Sequence, residues 1–307
     1  MMKNCYATIE EFAAYVAEHI SEFLPGSLKD AEIRFDRVTK NNDVTKISLS
    51  ICKEKDKICP LLYLDGFYDM LKKTNDIDHV MQEIVKTRIN APTPENSEEN
   101  FTELLDDYGW VKNNLMIRTC DLESNSQRLK DAVYIRQGDF AGVVYVALHQ
   151  EEYSLYSCMV RKEYLHGWGV SEETVMADAL ECNDKKKVVF RGLTDYLMGL
   201  AEDEMIGEPL MDSSPIYVLT NSFNTYGASV MFNTHAMDQI ADRFGDHYYV
   251  IPSSVHELLV VPAEEGFGPD MFNSMIQEVN QNEVSEEEIL SYHVQQYDLG
   301  DHMLKRA

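Results

Sequence analysis

Little in this chain is suited to staple, span or grip. Its six cysteines, at positions 5, 52, 59, 120, 158 and 182, are too dilute in 307 residues for a disulfide-built secreted scaffold. No two of them stand as C-x-x-C, so zinc-knuckle and thiol–disulfide motifs are missing. Reduced thiols in a cytosol are the expectation. Apolar runs such as Val143 to Leu148 stop at six residues, against about 20 for a membrane-spanning helix, and no membrane role is expected. The segment Met1-Met2-Lys3-Asn4-Cys5-Tyr6 leads straight into an amphipathic pattern, without the apolar core and cleavage site of a signal peptide, which points to the cytoplasm. Neither G-x-x-x-x-G-K-S/T nor G-x-G-x-x-G occurs, so no nucleotide is implied and no cofactor is expected. Positive charge is scarce as well. Lys and Arg number 27 against 53 Asp and Glu, a formal charge of −26, which argues against direct nucleic-acid binding through the phosphate backbone.

What is present is ordinary globular material, 44% apolar and 26% charged, with length for two domains or one large one. The acidity is uneven: residues 201–307 hold 19 acids and three bases (Arg243, Lys305, Arg306). Such a field repels nucleic acid and acidic membranes and steers basic partners toward the last third. Set in a phosphate-like line, about one charge per 1.7 Å, acids such as Glu202, Asp203, Glu204, Glu286, Glu287 and Glu288 would make a DNA-mimic decoy of a DNA-binding protein. Spread over a surface, they solubilise.

Thr8 with Glu11 forms a capping box, after which Phe12, Val16, Ile20 and Phe23 recur at helical spacing until Pro25-Gly26. Ala31, Ile33 and Phe35, then Ile47, Leu49 and Ile51, alternate with polar residues on either side of Lys40-Asn41-Asn42-Asp43, the pattern of a hairpin. A short strand over 60–64 and helices around 66–74 and 77–89 complete a small α-β-β-β-α unit, residues 1–90. Residues 91–100, with Pro92 and Pro94 among polar residues, read as a linker or surface loop. The remainder, 101–307, reads as a larger α+β unit. Strands are predicted over 142–148, 153–160, 216–220, 228–232, 248–251 and 258–261. Helices are predicted after the Ser171 cap, over 188–200 and through Met237, Ile240, Ala241 and Phe244. The acidic tail reads as mostly helical, with a second capping box at Ser285 and Glu288. Strands mixed with separate helices predict an α+β fold with mixed, largely antiparallel sheets and flanking helices.

Five segments follow one another in a telling order: Val38-Thr39-Lys40-Asn41-Asn42, Pro60-Leu61-Leu62-Tyr63-Leu64, Trp168-Gly169-Val170-Ser171 with Ala179 and Asn183, Val218-Leu219-Thr220-Asn221, and Pro252-Ser253-Ser254-Val255-His256-Glu257. That order resembles a bacterial family known as domain of unknown function 5688, over about residues 32–263. The second half is also similar to another uncharacterised bacterial family that shares the Thr-Asn, Gly-Ala and Pro-Ser-Ser-x-His-Glu pattern. The resemblance implies one continuous architecture and a bacterial cytosol. It brings no activity, cofactor or partner with it.

The chemically loaded stretch is Pro252 to Glu257. A serine, a histidine and a carboxylate are the parts of a nucleophilic triad, which makes Ser254 and His256 the candidate catalytic pair of a hydrolase. Adjacent strand residues point to opposite faces, so Glu257 is a poor orienter and Asp238, Asp242 or Asp246 would be needed. Against this, the G-x-S-x-G elbow is missing. Ser253, Ser254, His256 and Glu257 can instead cap a turn or bind a ligand. Asn221, in the polar turn 221–227, and Trp168, between two glycines, are further candidate binding residues. His256-Glu257 begins like a zincin helix, but Val260 stands where the second histidine belongs. No metal is expected, since His235 or His247 would have to converge from elsewhere. Lys185-Lys186-Lys187 reads as a solvated helix–helix loop, and Met176, Met198, Met237 and Met275 as core fillers. These readings favour a non-enzymatic binding or accessory protein with a protein or small-molecule partner, ahead of a Ser254/His256 hydrolase or an acidic decoy.

Overall fold

The Thr8 hydroxyl accepts from the Glu11 N–H and starts helix α1 (Ile9–Phe23) in the computed structural model, which describes residues 6–53, 59–91, 101–151, 154–198, 215–245, 247–263 and 268–307. The chain divides into two units, one of residues 1–40 and 44–106, the other of residues 41–43 and 107–307.

In the smaller unit, α1 turns Phe12, Val16 and Ile20 inward. Strands β1 (Glu32–Thr39) and β2 (Thr45–Cys52) pair antiparallel, with Ile33 opposite Ile51 and Phe35 opposite Leu49. β3 (Leu62–Tyr63) adds to β2. Helix α2 (Leu64–Thr74) and helix α3 (Ile77–Asn90), the latter capped by Asp76, close over that sheet with Leu64, Val80, Met81 and Ile84 in the core. A short helix α4 (Phe101–Asp106) follows, while 92–100 of the expected linker lie outside the described residues. Ser48 faces Tyr63 and Leu49 faces Leu62; the same register carried outward sets Cys52 opposite Cys59. Their Cα atoms stand 5.7 Å apart and the two form a disulfide, the spacing such a bond requires. The expectation of six reduced thiols is therefore corrected here. Cys120, Cys158 and Cys182 are free, and Cys5 lies outside the described residues.

The larger unit opens with α5 (Tyr108–Val111) and β4 (Leu115–Asp121), then β5 (Tyr134–Gln137), β6 (Phe140–Glu151) and β7 (Ser154–Met159). These strands make one sheet in the order β4-β6-β5, with β7 also on β6. Helices α6 (Lys162–Trp168) and α7 (Glu172–Asp184) lead to β8 (Val188–Gly192) and α8 (Leu193–Met198). After β9 (Tyr217–Asn221) come a 3₁₀ helix (Gly227–Phe232), α9 (Thr234–Phe244), β10 (His247–Ile251), β11 (Leu258–Pro262) and α10 (Pro269–Asn282). Strands β12 (Gln295–Asp298) and β13 (Met303–Arg306) complete a second sheet, ordered β13-β12-β10-β11-β9-β8. Every strand pairing among the described residues is antiparallel. The fold is α+β.

Several elements differ from the sequence reading. Residues 188–192 are strand, because the β-branched Val188-Val189 and Phe190 pair with β9 and only 193–198 coil into a helix. Residues 228–232 wind into the 3₁₀ helix, buried throughout, so burial alone mimicked a strand. Past α10 the tail is a β-hairpin, and Ser285 to Glu288 makes a single turn. Lys185 to Lys187 connect a helix to a strand, with Lys186 half-buried. Met237 is fully buried, but Met198 is exposed.

Opposed residues of β4 and β6 share a face. Arg118 faces Val143, Met116 faces Tyr145 and Cys120 faces Ala141, and these apolar neighbours pack with Leu129 and Tyr226. The reverse face carries Ile117 and Gly142 against Phe232. Arg118 thus rises from one face of an edge strand.

Candidate functional site

Residues 252–257 join β10 to β11, and their polar atoms are spent on one another. The Ser254 hydroxyl donates to Glu257 Oε1 at 2.8 Å and the Ser253 hydroxyl to the same oxygen at 3.2 Å. Ser254 Oγ also accepts from the His256 N–H at 3.0 Å, an ST-turn. Neither loop serine, Ser253 nor Ser254, bonds the imidazole. His256 Nδ1 instead accepts the Tyr226 N–H at 3.2 Å, which places the ring proton on Nε2, 3.6 Å from Glu288 Oε1. The carboxylate behind the ring is Glu288 rather than Asp238, which binds the Tyr297 hydroxyl at 2.6 Å. Asp246 lies outside the described residues.

The 221–227 turn is locked to this loop. Asn221 accepts from the Phe223 N–H at 2.9 Å and donates to the Thr225 carbonyl at 2.9 Å. The Thr220 hydroxyl donates to the His256 carbonyl at 2.8 Å. Between these fixed points Tyr226 is held at φ 51°, in the left-handed region that costs a residue with a Cβ about 1 kcal/mol or more. Asn221, Ser254 and His256 therefore come together, and what they jointly position is Tyr226.

Tyr226 lies over Arg118, whose guanidinium carbon is 4.0 Å from the Tyr226 ring centre and 4.3 Å from that of Tyr145. Sandwiched between two rings, Arg118 reaches the Ser157 hydroxyl with Nη2, while its Nε is buried without a partner. Arg128, from the 3₁₀ turn Arg128–Lys130, donates to the Tyr145 hydroxyl and approaches the side-chain oxygens of Asn41 and Asn125 at 3.5 and 3.4 Å. Arginine stays charged in such a setting. Lys186 comes in from the loop after α7. Burial pushes its ammonium down to about 8, and the neighbouring Arg118 charge acts in the same direction. Among the described residues, no carboxylate is among the groups acting on Arg128 or Lys186.

The other sequence candidates lie elsewhere. Trp168 ends α6 half-buried, with Tyr108 and Tyr164 ring centres 5.6 and 5.8 Å away. No group of three His, Cys, Asp or Glu side chains able to hold a metal occurs among the described residues. Glu202, Asp203 and Glu204 lie outside them. A recess of about 320 Å³ has Asn42, Asp121, Glu286, Tyr292 and His293 in its wall. Asn42 ties that wall together, donating to the Glu286 and Ile289 carbonyls at 2.7 Å.

A family model described as "Family of unknown function (DUF5688)" matches residues 9–299. The chain belongs to this family. The match extends past the 32–263 span at both ends, and so takes in α1, α10 and β12 of the DUF5688 fold. No curated protein and no solved structure matches the chain. No helix of the described residues is long and apolar enough to cross a membrane. The residues that sequence reasoning passed over in this family member are Arg118, Arg128 and Tyr145. Each is a lone polar or aromatic residue in a stretch without a motif. The one available signal was Lys186, inside the single basic cluster of an acidic chain.

Proposed function

We propose that this chain is a non-catalytic binding protein whose polar 252–257 loop serves as a scaffold. One observation carries the reading: both loop serines bond Glu257, and the imidazole nitrogen a nucleophile would need is occupied by the Tyr226 N–H. A general base must reach the hydroxyl it activates within about 2.6–3.2 Å, and here it supports main chain instead. The loop holds an aromatic ring over a guanidinium, which is the work of a recognition surface. A cytosolic binding partner, protein or small molecule, fits this reading.

A fluorophosphonate probe tests it. Ser253 and Ser254 should stay unlabelled under conditions that label a serine hydrolase to completion. Replacing His256 by Ala should cost about 1–3 kcal/mol in urea unfolding, because the Tyr226 N–H loses its acceptor. Asn, whose side-chain oxygen can stand near the place of Nδ1, should recover part of that. Labelling of Ser254 that disappears in a stable His256→Ala variant would overturn the proposal in favour of a hydrolase.

A further inference from the structure

We infer that Arg118 and Arg128, gathered around Tyr145, form with Lys186 a binding site for a small phosphoryl dianion. The inference rests on the binding reading above and names its ligand.

The first argument is charge. Elsewhere in this chain basic side chains find acids, as in Lys72 with Asp69, Lys86 with Glu83, Lys185 with Glu181 and Arg306 with Asp139. Among the described residues, Arg118 and Arg128 contact only neutral partners: a serine, tyrosines and asparagines. Lys186 carries neither a hydrogen bond nor an ion pair on its amine among the described residues. Half-buried charges are ordinarily paired, and acids outnumber bases about two to one in this sequence. The Arg118 and Lys186 charges repel each other, and Arg128 is buried beside Tyr145 with neutral partners; an anion removes both costs.

The second argument is geometry. The donors come from three elements, β4, the turn after it and the loop beyond α7, and retain free capacity: Arg118 Nε is unpartnered, and Lys186 has three N–H groups. A planar carboxylate pairs with one guanidinium, whereas a tetrahedral phosphoryl group offers three terminal oxygens to three donors. Arg118, clamped between two rings, is ordered before the ligand arrives, which lowers the entropy lost on binding. A polyanion is disfavoured by the surrounding acids, so the phosphoryl group belongs to a small molecule.

Inorganic phosphate is the probe, titrated into the full chain by calorimetry and thermal unfolding against sodium chloride of equal ionic strength, with malonate as the carboxylate control. Saturable stabilisation by phosphate, absent with chloride and weaker with malonate, is expected. Arg118→Gln should weaken phosphate binding about tenfold to a hundredfold, and Lys186→Met by a smaller factor. Should Arg118→Gln fail to fold, Arg128→Gln and Lys186→Met carry the same comparison. Malonate binding tighter than phosphate, equal phosphate affinity in all variants, or no saturable response overturns the inference. None of these outcomes alters the serine-probe result, so the two readings fail separately.

Discussion

Lys186 shows how one side chain sets a pH dependence. The unfolded amine titrates at its ordinary value of 10.5, while in the folded chain burial brings it to about 8. Between these values the unfolded state holds more protons than the folded one, so this residue makes stability rise with pH across that window. Below about 8 both states are protonated and the full cost of the buried charge is present. Lys186→Met should therefore be more stable than the parent chain at neutral pH, by on the order of 1–2 kcal/mol once solvent screening at a half-buried site is allowed for. The gap should close as pH approaches 10.5. Urea unfolding of both proteins at several pH values measures the difference directly and cancels the tyrosines that titrate in the same range. A gap that does not change with pH would show that the folded amine titrates as it does in the unfolded chain, as a solvated lysine does. Saturating phosphate should also narrow the gap, since a bound anion pairs the charge that Met removes.

Between elements the tightest constraint is Gly227, where the 3₁₀ helix leaves the polar turn. A Cβ there would lie 1.9 Å from Thr220 Oγ1 and 2.4 Å from the His256 carbonyl oxygen. Gly227→Ala must force β9, the 252–257 loop and Tyr226 apart, at a cost on the order of 3 kcal/mol. Chemical denaturation would show it, and a loss below about 0.5 kcal/mol would mean the turn relaxes freely. The same crowding explains what the sequence could reveal. Amphipathic helices such as α1 and α9 announce themselves because one face is buried and the other wet, so Phe12, Val16 and Ile20, or Met237, Ile240 and Ala241, repeat at helical spacing. Strand β4 has no such signature, being buried on both faces from Leu115 to Cys120 apart from Arg118, and was silent to a period-two reading. The 252–257 loop was visible as a polar motif. Its partner Tyr226 lies 30 residues away and its client Arg118 more than a hundred, distances that only tertiary packing bridges. Position in the motif was legible; what the motif holds was not.

Over the whole chain, cysteine usage and sheet topology have consequences of their own. Cys52 and Cys59 are paired, and the remaining four of six cysteines are positions 5, 120, 158 and 182. Denatured without reductant, the protein should therefore titrate four thiols, and six after reduction; six at the outset would return the pair to the reduced state expected of a cytosol. In the native protein Cys120 and Cys158 should react slowly, since burial pushes their thiols up to about 12 and about 11. The larger sheet raises a matter of timing. Its strand order is β13-β12-β10-β11-β9-β8, so on a ribosome β8 to β11 emerge in sequence and can pair as they appear. β10, however, is left with a bare hydrogen-bonding edge, His247-Tyr248-Tyr249-Val250, until residues 295–298 arrive to cover it. For the time needed to translate some 40 residues, a few seconds at 5–20 residues per second, the nascent chain exposes an edge without acids, lysine or arginine, rich in tyrosine and ending on a β-branched valine, of the kind that recruits neighbouring chains. The β12–β13 hairpin thus acts as a closing seal, and the yield of folded protein becomes sensitive to anything that stalls synthesis between β11 and β12.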